Sequence, residues 1–373
     1  MKGVFSTGKY KVCVYAITKN EEQFVDRWMD AVSKADLVVV ADTGSTDQTV
    51  QKLRKRGAVV YCEEIKPWRF DTARNIAMDH IPQDVDICVS VDLDEVFVKG
   101  WREKLEAVWQ PDVTRARYLF TYSYHKDGTP DKQFMMEKIH CRNDFRWIHP
   151  VHEILSYSGE MPEKSVWVPG LVLNHYPDPS KSRGQYLPLL ELSARENPDD
   201  TQVIFWLGRE YFYHKKYTES IATLQRYLKI PSATWAEERS AAMRFIAQCF
   251  TEQKRPSEAK EWLFRAIGEC PSVREPYYQM ALLSYSENNW PLLFNMCEQA
   301  LKITSRSGSY LLEPVCWGSC FYDFGSIACY QLGLYQKSLK YVQKALEFSP
   351  DDSRLLNNLK LIRQKAEMEG VDQ

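Results

Sequence analysis

The sequence predicts an α/β domain with a mostly parallel sheet, followed by an all-helical repeat domain. Before about residue 100, short β-branched apolar runs alternate with helical patterns. After about residue 188 the strand signals fade, and long helical patterns of aromatic, Leu and Ala residues take over. The length, 373 residues, suits two domains of roughly 100 to 200 residues. The expected division is 1–187 and 188–373.

Tyr10 to Thr18 (YKVCVYAIT) reads as a strand, after which Asn20 is placed to cap a helix with Phe24, Val25, Trp28, Met29 and Val32 on its apolar face. DLVVVA, Asp36 to Ala41, is the second strand; the helix after it starts near Thr46, carries Val50 and Leu53, and stops at Gly57. AVVYC, Ala58 to Cys62, is a third strand, Thr72 to Met78 a third helix, and DICVSV, Asp86 to Val91, a fourth strand. Uninterrupted apolar strands separated by helices imply a parallel sheet covered on both faces. Ligands then bind beyond the carboxyl ends of the strands.

In the second half, four stretches share a theme of small and aromatic positions: Trp206 to Leu224, Ala242 to Ala266, Tyr278 to Ala300 and Ala328 to Ala345. Pro231, Pro271 and Pro350 punctuate them. Paired helices of this kind resemble tetratricopeptide repeats, whose unit is about 34 residues. An irregular helical bundle is the alternative. One unit carries an insertion around Thr304 to Val315, and Asp351 to Glu369 is expected to form a capping helix with a polar outer face.

A net charge of -2 gives no electrostatic reason to expect nucleic acid or an anionic membrane surface. Most of the ten cysteines sit in apolar runs and read as free buried thiols, and Cys316 and Cys320 have no second pair at zinc-site spacing. No stretch approaches the roughly 18 apolar residues of a membrane span, and MKGVFSTGKYKV has no apolar leader core. A soluble cytoplasmic protein is expected.

The first strand ends in Thr18-Lys-Asn-Glu21-Glu, without the glycine-rich turn that a dinucleotide needs, so nicotinamide and flavin cofactors are excluded. The second ends in Asp42-Thr-Gly44-Ser-Thr-Asp47. Asp47 reads as helix-start electrostatics, whereas Asp42 follows VVVA with no evident capping duty and reads as functional. The fourth ends in Asp92-Leu93-Asp94. If this segment is extended, both carboxylates project to one side and repel unless a cation lies near them. Mg²⁺ or Mn²⁺ suits such oxygen ligands together with substrate phosphates. An acidic turn closing a strand is the competing reading.

ITKNEEQFVDRW, VVVADTGSTDQTV, RFDTARNIAM and VDLDEVF, in this order, resemble family 2 glycosyltransferases of the GT-A fold. With RWIHPVHEIL, LNHYPDP and NPDDTQVIFWLGREYF, the chain is similar to bacterial peptide and protein glycosyltransferases that join this domain to tetratricopeptide repeats. The resemblance implies a nucleotide-diphosphate sugar donor, UDP-linked by expectation, and a peptide, protein or glycan acceptor. It implies that Thr18 and Glu21 contact the base and ribose, that Asp42 reads the base, and that Arg74 lies near the base and diphosphate. Asp92 would lie near the ribose and metal, Asp94 would ligate Mn²⁺ or Mg²⁺ directly, and His175 would share that metal. For the inverting base, HPVHE offers Glu153, with His152 orienting it or contacting phosphate. Arg146 and Trp147 are expected to line the sugar or acceptor pocket. The repeats are expected to bind the acceptor or form a homodimer. Two rivals are a nucleotidyltransferase, disfavoured because TKNEE lacks a glycine-rich basic loop, and a scaffold with a degenerate first domain.

Overall fold

Val12–Thr18 (β1) is buried along almost its whole length, as a strand covered on both faces requires. The computed structural model describes residues 8–179 and 184–371, and the chain divides into two units, Met1–Glu196 and Asn197–Gln373. The first continues with α1 (Val25–Ala31), β2 (Leu37–Asp42), α2 (Thr49–Lys55), β3 (Val59–Cys62), α3 (Phe70–Asp79) and β4 (Ile87–Ser90). Then come β5 (Glu95–Phe97), α4 (Trp101–Val108), β6 (Arg115–Tyr124), β7 (Pro130–Cys141), β8 (Phe145–Ile148), β9 (Ile154–Tyr157), β10 (Ser165–His175) and α5 (Tyr186–Glu196).

Among the described residues the main sheet has eight strands in the order β3-β2-β1-β4-β7-β6-β10-β5, and β8 and β9 form a separate pair. β3, β2, β1 and β4 run parallel, as their apolar runs predict. β7 is antiparallel to both β4 and β6, while β10 is parallel to β6 and antiparallel to β5. Alternate residues of β1 feed two cores. Val12, Val14 and Ala16 pack with Trp28 of α1, Leu53 of α2 and Trp101 of α4. Cys13 and Tyr15 pack with Ala77 and Met78 of α3 and with Phe145, Trp147 and Leu155 of the β8–β9 pair.

Two local expectations are corrected. Asn20 does not cap α1, whose N-cap is Phe24. It has a left-handed backbone, and its side chain accepts from the Thr46 amide at 2.7 Å while its own amide donates to Ser45 Oγ at 2.8 Å. The helix after β2 begins at Thr49 rather than Thr46, because Asp47 Oδ1 accepts the Thr49 amide at 3.0 Å and the Thr49 hydroxyl at 2.6 Å.

The second unit is helical throughout: α6 (Thr201–Tyr213), α7 (Tyr217–Tyr227), α8 (Ala236–Glu252), α9 (Pro256–Glu269), α10 (Glu275–Ser286), α11 (Trp290–Leu301), α12 (Cys320–Gln331), α13 (Tyr335–Phe348) and α14 (Ser353–Val371). Each helix packs on the next. The small residues mark where helices meet. Ser220 Oγ of α7 donates to Gly208 O of α6 at 2.7 Å, and Ser338 Oγ of α13 repeats this to Ser326 O of α12 at 2.7 Å. The expected insertion lies between α11 and α12 and folds back on earlier helices: Tyr310 donates to Glu238 of α8 at 3.0 Å, and Arg274, beside α10, donates to Ile303 O and Cys316 O. α14 departs from a polar cap, since Leu356, Leu361 and Met368 are exposed on it. No helix among the described residues is long and apolar enough to cross a membrane.

A Cβ at Gly208 would lie 2.6 Å from Leu224 side-chain atoms, whereas one at Gly268 meets nothing within 4 Å. Gly208→Ala should therefore destabilise the helical unit by about 1–3 kcal/mol. Gly268→Ala should stabilise it by up to about 1 kcal/mol. Urea unfolding of the two variants checks both signs.

Candidate active site

The carboxyl ends of β1, β2 and β4 lie side by side, with Thr18 opposite Asp42 in the β1–β2 register. Asp42 is 2% exposed. Contrary to expectation it does have a capping duty: its carboxylate accepts the Gly44 amide at 3.1 Å and the Ser45 amide at 2.9 Å. Gly44 stands at φ 104°, a conformation glycine adopts freely. Thr18 and Glu21 are buried and bonded to each other, Thr18 Oγ1 donating to Glu21 Oε2 at 3.0 Å. The Glu21 amide donates to Thr49 Oγ1 at 2.8 Å, and Glu22 Oε2 accepts the Gln48 amide at 2.8 Å. The loops after β1 and β2 are thus fastened together into one rigid rim.

The acidic segment after β4 is a turn rather than an extended run: the Glu95 amide donates to Asp92 O at 2.9 Å. Leu93 is buried inside it, and the two aspartates engage different partners. Asp92 receives Arg74 of α3 in two parallel bonds, 2.7 Å to Oδ1 and 3.0 Å to Oδ2. Arg74 Nε also donates to Glu153 at 2.5 Å, and its guanidinium lies 5.0 Å over the Trp147 ring. Burial works against the charge of Arg74, but Asp92 and Glu153 more than offset it and hold its pKa well above the usual value. Burial likewise tends to raise Asp92, and Arg74 and Lys138 instead pull it far below the ordinary carboxylate range. Two parallel guanidinium bonds to a carboxylate are among the strongest polar contacts available to side chains.

Asp94 faces His175, the last residue of β10, with Oδ2 3.4 Å from Nε2. Its backbone carbonyl accepts the Tyr176 amide at 2.8 Å. His175 Nδ1 lies 3.4 Å from Tyr122 O, and its ring stacks on Tyr122. Burial lowers the His175 pKa, but the bond to Asp94 outweighs it and the net shift is upward. A carboxylate oxygen and an imidazole nitrogen facing each other are a donor pair that fits Mn²⁺, with phosphate oxygens and water filling the remaining positions. Among the described residues no three His, Cys, Asp or Glu side chains gather as a ready protein cage.

HPVHE forms the loop between β8 and β9. His149 and His152 both have left-handed backbones, φ 74° and 52°, uncommon for residues with a Cβ. Pro150 O accepts the Phe70 amide at the start of α3 at 2.9 Å, and the His152 ring meets Tyr186 edge-on. The loop delivers Glu153 to Arg74. Trp147 is not on a pocket wall: it is 2% exposed, its backbone exchanges bonds with the Asn75 side chain at 2.8 and 2.9 Å, and its indole N–H donates to Tyr15 OH at 2.9 Å. Arg146 points away and pairs with Asp79.

Lys138, Glu95, Tyr15 and His140 are members of the site or its floor that the sequence reading missed. Lys138 Nζ lies 3.4 Å from both Asp92 and Glu95. Glu95 Oε2 accepts the Asp92 amide at 2.9 Å, and burial pushes its pKa up to about 7. A lysine within QFMMEKIHC was the available signal for Lys138, but that run shows neither clean alternation nor a continuous apolar stretch.

Residues 13–156 match the family model described as Glycosyl transferase family 2. An uncharacterized glycosyltransferase of Rickettsia bellii is 31% identical over 110 residues, which are 29% of this chain and 36% of that protein. One of Rickettsia conorii is 32% identical over 110 residues, 29% of this chain and 37% of that protein. The chain thus spans about a third of the length of these curated relatives. A solved structure of the C-terminal part of a TPR repeat-containing protein from Cytophaga hutchinsonii aligns with a TM-score of 0.40 at 15% identity, covering 50% of this chain and 67% of that one. Residues 13–156 of the first unit are thus similar to family 2 glycosyl transferases, and a helical array follows them in the chain.

Beneath the site a buried chain of hydrogen bonds has a fixed direction. His140 Nδ1 lies 2.6 Å from Cys141 O, and a carbonyl only accepts, so Nδ1 carries the proton. Nε2 then accepts from Tyr15 OH at 2.9 Å, and Tyr15 OH accepts from Trp147. Burial pushes His140 down to about 3, so between about 3 and 6.5 the unfolded chain binds a proton that the folded chain refuses. Stability must therefore fall as pH drops from about 6.5 towards 3, by at most about 1.4 kcal/mol per unit from this residue. In urea unfolding between pH 4 and 7, His140→Gln should flatten that acid limb.

Proposed function

We propose that this chain is an inverting glycosyltransferase that moves a hexose from a UDP-sugar to a peptide or protein acceptor with the aid of a divalent cation. The reading is carried by one observation: the Asp94–His175 pair at the carboxyl edge of the sheet, in a domain that matches family 2 glycosyl transferases. Asp94 and His175 would hold the cation, whose chemistry when bound is to offset the charge gathering on the leaving diphosphate.

The remaining work falls to this chain's own residues. Thr18, Glu21 and Asp42 form the rim on which the nucleoside rests. Arg74, locked by Asp92 and Glu153, holds a fixed positive charge beside the diphosphate. In the transfer, the acceptor heteroatom bonds to the anomeric carbon as the bond from that carbon to phosphate oxygen breaks. The electron pair leaves with the nucleoside diphosphate, and the acceptor proton passes to a base. Glu153 braces Arg74 and is the carboxylate assigned as that base. The broad faces of the helical repeats suit recognition of a polypeptide acceptor, since a repeat buries only its neighbours.

Two variants test the assignment with UDP-sugar hydrolysis and transfer as readouts. Asp94→Asn should lower kcat by at least about 100-fold in Mn²⁺; near wild-type turnover would remove Asp94 from the metal and with it the metal-dependent reading. Glu153→Gln separates base from brace. A base predicts loss of kcat with a changed pH profile, while a brace for Arg74 predicts chiefly a raised donor KM.

A further inference from the structure

Lys138 reaches the site from β7, the strand that joins the parallel half of the sheet to the mixed half. Val89 pairs with Ile139 in the β4–β7 register, so Lys138 falls beside Ser90, where β4 ends. Its ammonium lies 3.4 Å from Asp92 Oδ2 and 3.4 Å from Glu95 Oε1. Glu95 closes the acidic turn twice, accepting the Asp92 amide at 2.9 Å and donating its own amide to Asp92 O at 2.9 Å. Asp94 lies inside this four-residue loop. Its place opposite His175 is therefore set largely by bonds made on either side of it.

A lysine held this deep carries a desolvation cost that an apolar residue of the same volume avoids. Simple filling of space does not explain it. What the ammonium does is stand between two carboxylates that would otherwise repel each other across the turn.

We propose that Lys138, acting through Glu95, is a positioning residue that holds the Asp92–Asp94 turn and the Asp94–His175 pair in the shape transfer requires. The proposal rests on the glycosyltransferase reading of the site. Lys138 itself touches neither donor nor acceptor. Arg74 grips Asp92 from α3 and remains when Lys138 is removed, so loss of Lys138 falls on kcat more than on donor KM.

The test uses the full chain and two readouts: hydrogen exchange over residues 91–97, which needs no substrate, and UDP-sugar turnover. Lys138→Met alone leaves two facing carboxylates and risks misfolding, so it is paired with Glu95→Gln, which removes both charges together. The double variant should keep a thermal midpoint close to wild type, exchange residues 91–97 at least about tenfold faster, and lose about 10- to 100-fold in kcat with donor KM little changed. Lys138→Arg should recover most of both. Wild-type exchange and wild-type kcat in the double variant would overturn the proposal. Faster exchange in a protein whose wild type turns over no nucleotide sugar would sink the glycosyltransferase reading and uphold the positioning role.

Discussion

The carboxyl edge of the sheet depends on one buried cation, Arg74. An isolated guanidinium out of water would cost many kcal/mol, and this one is only 5% exposed. It survives because Asp92 takes it in two parallel bonds, Glu153 takes Nε, and the Trp147 ring covers it. Those partners come from the turn after β4, from the loop after β8 and from β8 itself. One charge therefore ties two separated segments, the turn after β4 and β8 with its loop, to α3. The left-handed histidines of HPVHE make sense as the local cost of bringing Glu153 to that charge.

The two halves of the sheet divide the labour. Parallel strands end together, so β1, β2 and β4 present Thr18, Asp42 and the acidic turn along one edge. These groups are mostly satisfied by backbone amides and by each other, which makes the rim stiff before any ligand arrives. The mixed half supplies what a parallel edge lacks. β7 brings Lys138 and β10 brings His175, each reaching the turn after β4 from another direction. Pre-positioned charges of this kind need little rearrangement when new charge develops beside them.

What the sequence disclosed follows from which signals are local. The parallel strands were legible because continuous apolar runs such as VCVYAI and DLVVVA have few other uses in a soluble domain. Asp92, Asp94, Arg74 and His175 were legible through motif and position, and the structure gathers them in two linked pairs. Less was legible where function depends on partners far apart in the chain. Trp147 in RWIHP looks like a ring available to a sugar, and only the fold reveals that Tyr15 and Asn75 already hold it in the core. Asp42 looked free because its capping bonds run to amides of the next turn, whose geometry is set by Gly44. Lys138 and Glu95 could not be paired by inspection, since 43 residues separate them.

Trp147 shows how the core and the site constrain each other. One face of its ring meets the Arg74 guanidinium, while its indole N–H starts the chain through Tyr15 and His140 to Cys141 O. That chain has an acceptor for every proton only if His140 is neutral. Burial keeps it so, and Arg115 and Arg142 add to the effect. A protonated His140 would place a further buried cation behind the ring that covers Arg74, where Arg115 and Arg142 already act against its charge. The floor must therefore remain uncharged for the edge above it to hold a concentrated, fully paired set of charges. The two are kept apart along the strand and not across it: Lys138 and His140 share one face of β7 two residues apart, roughly 7 Å, while Ile139 between them packs into the opposite core.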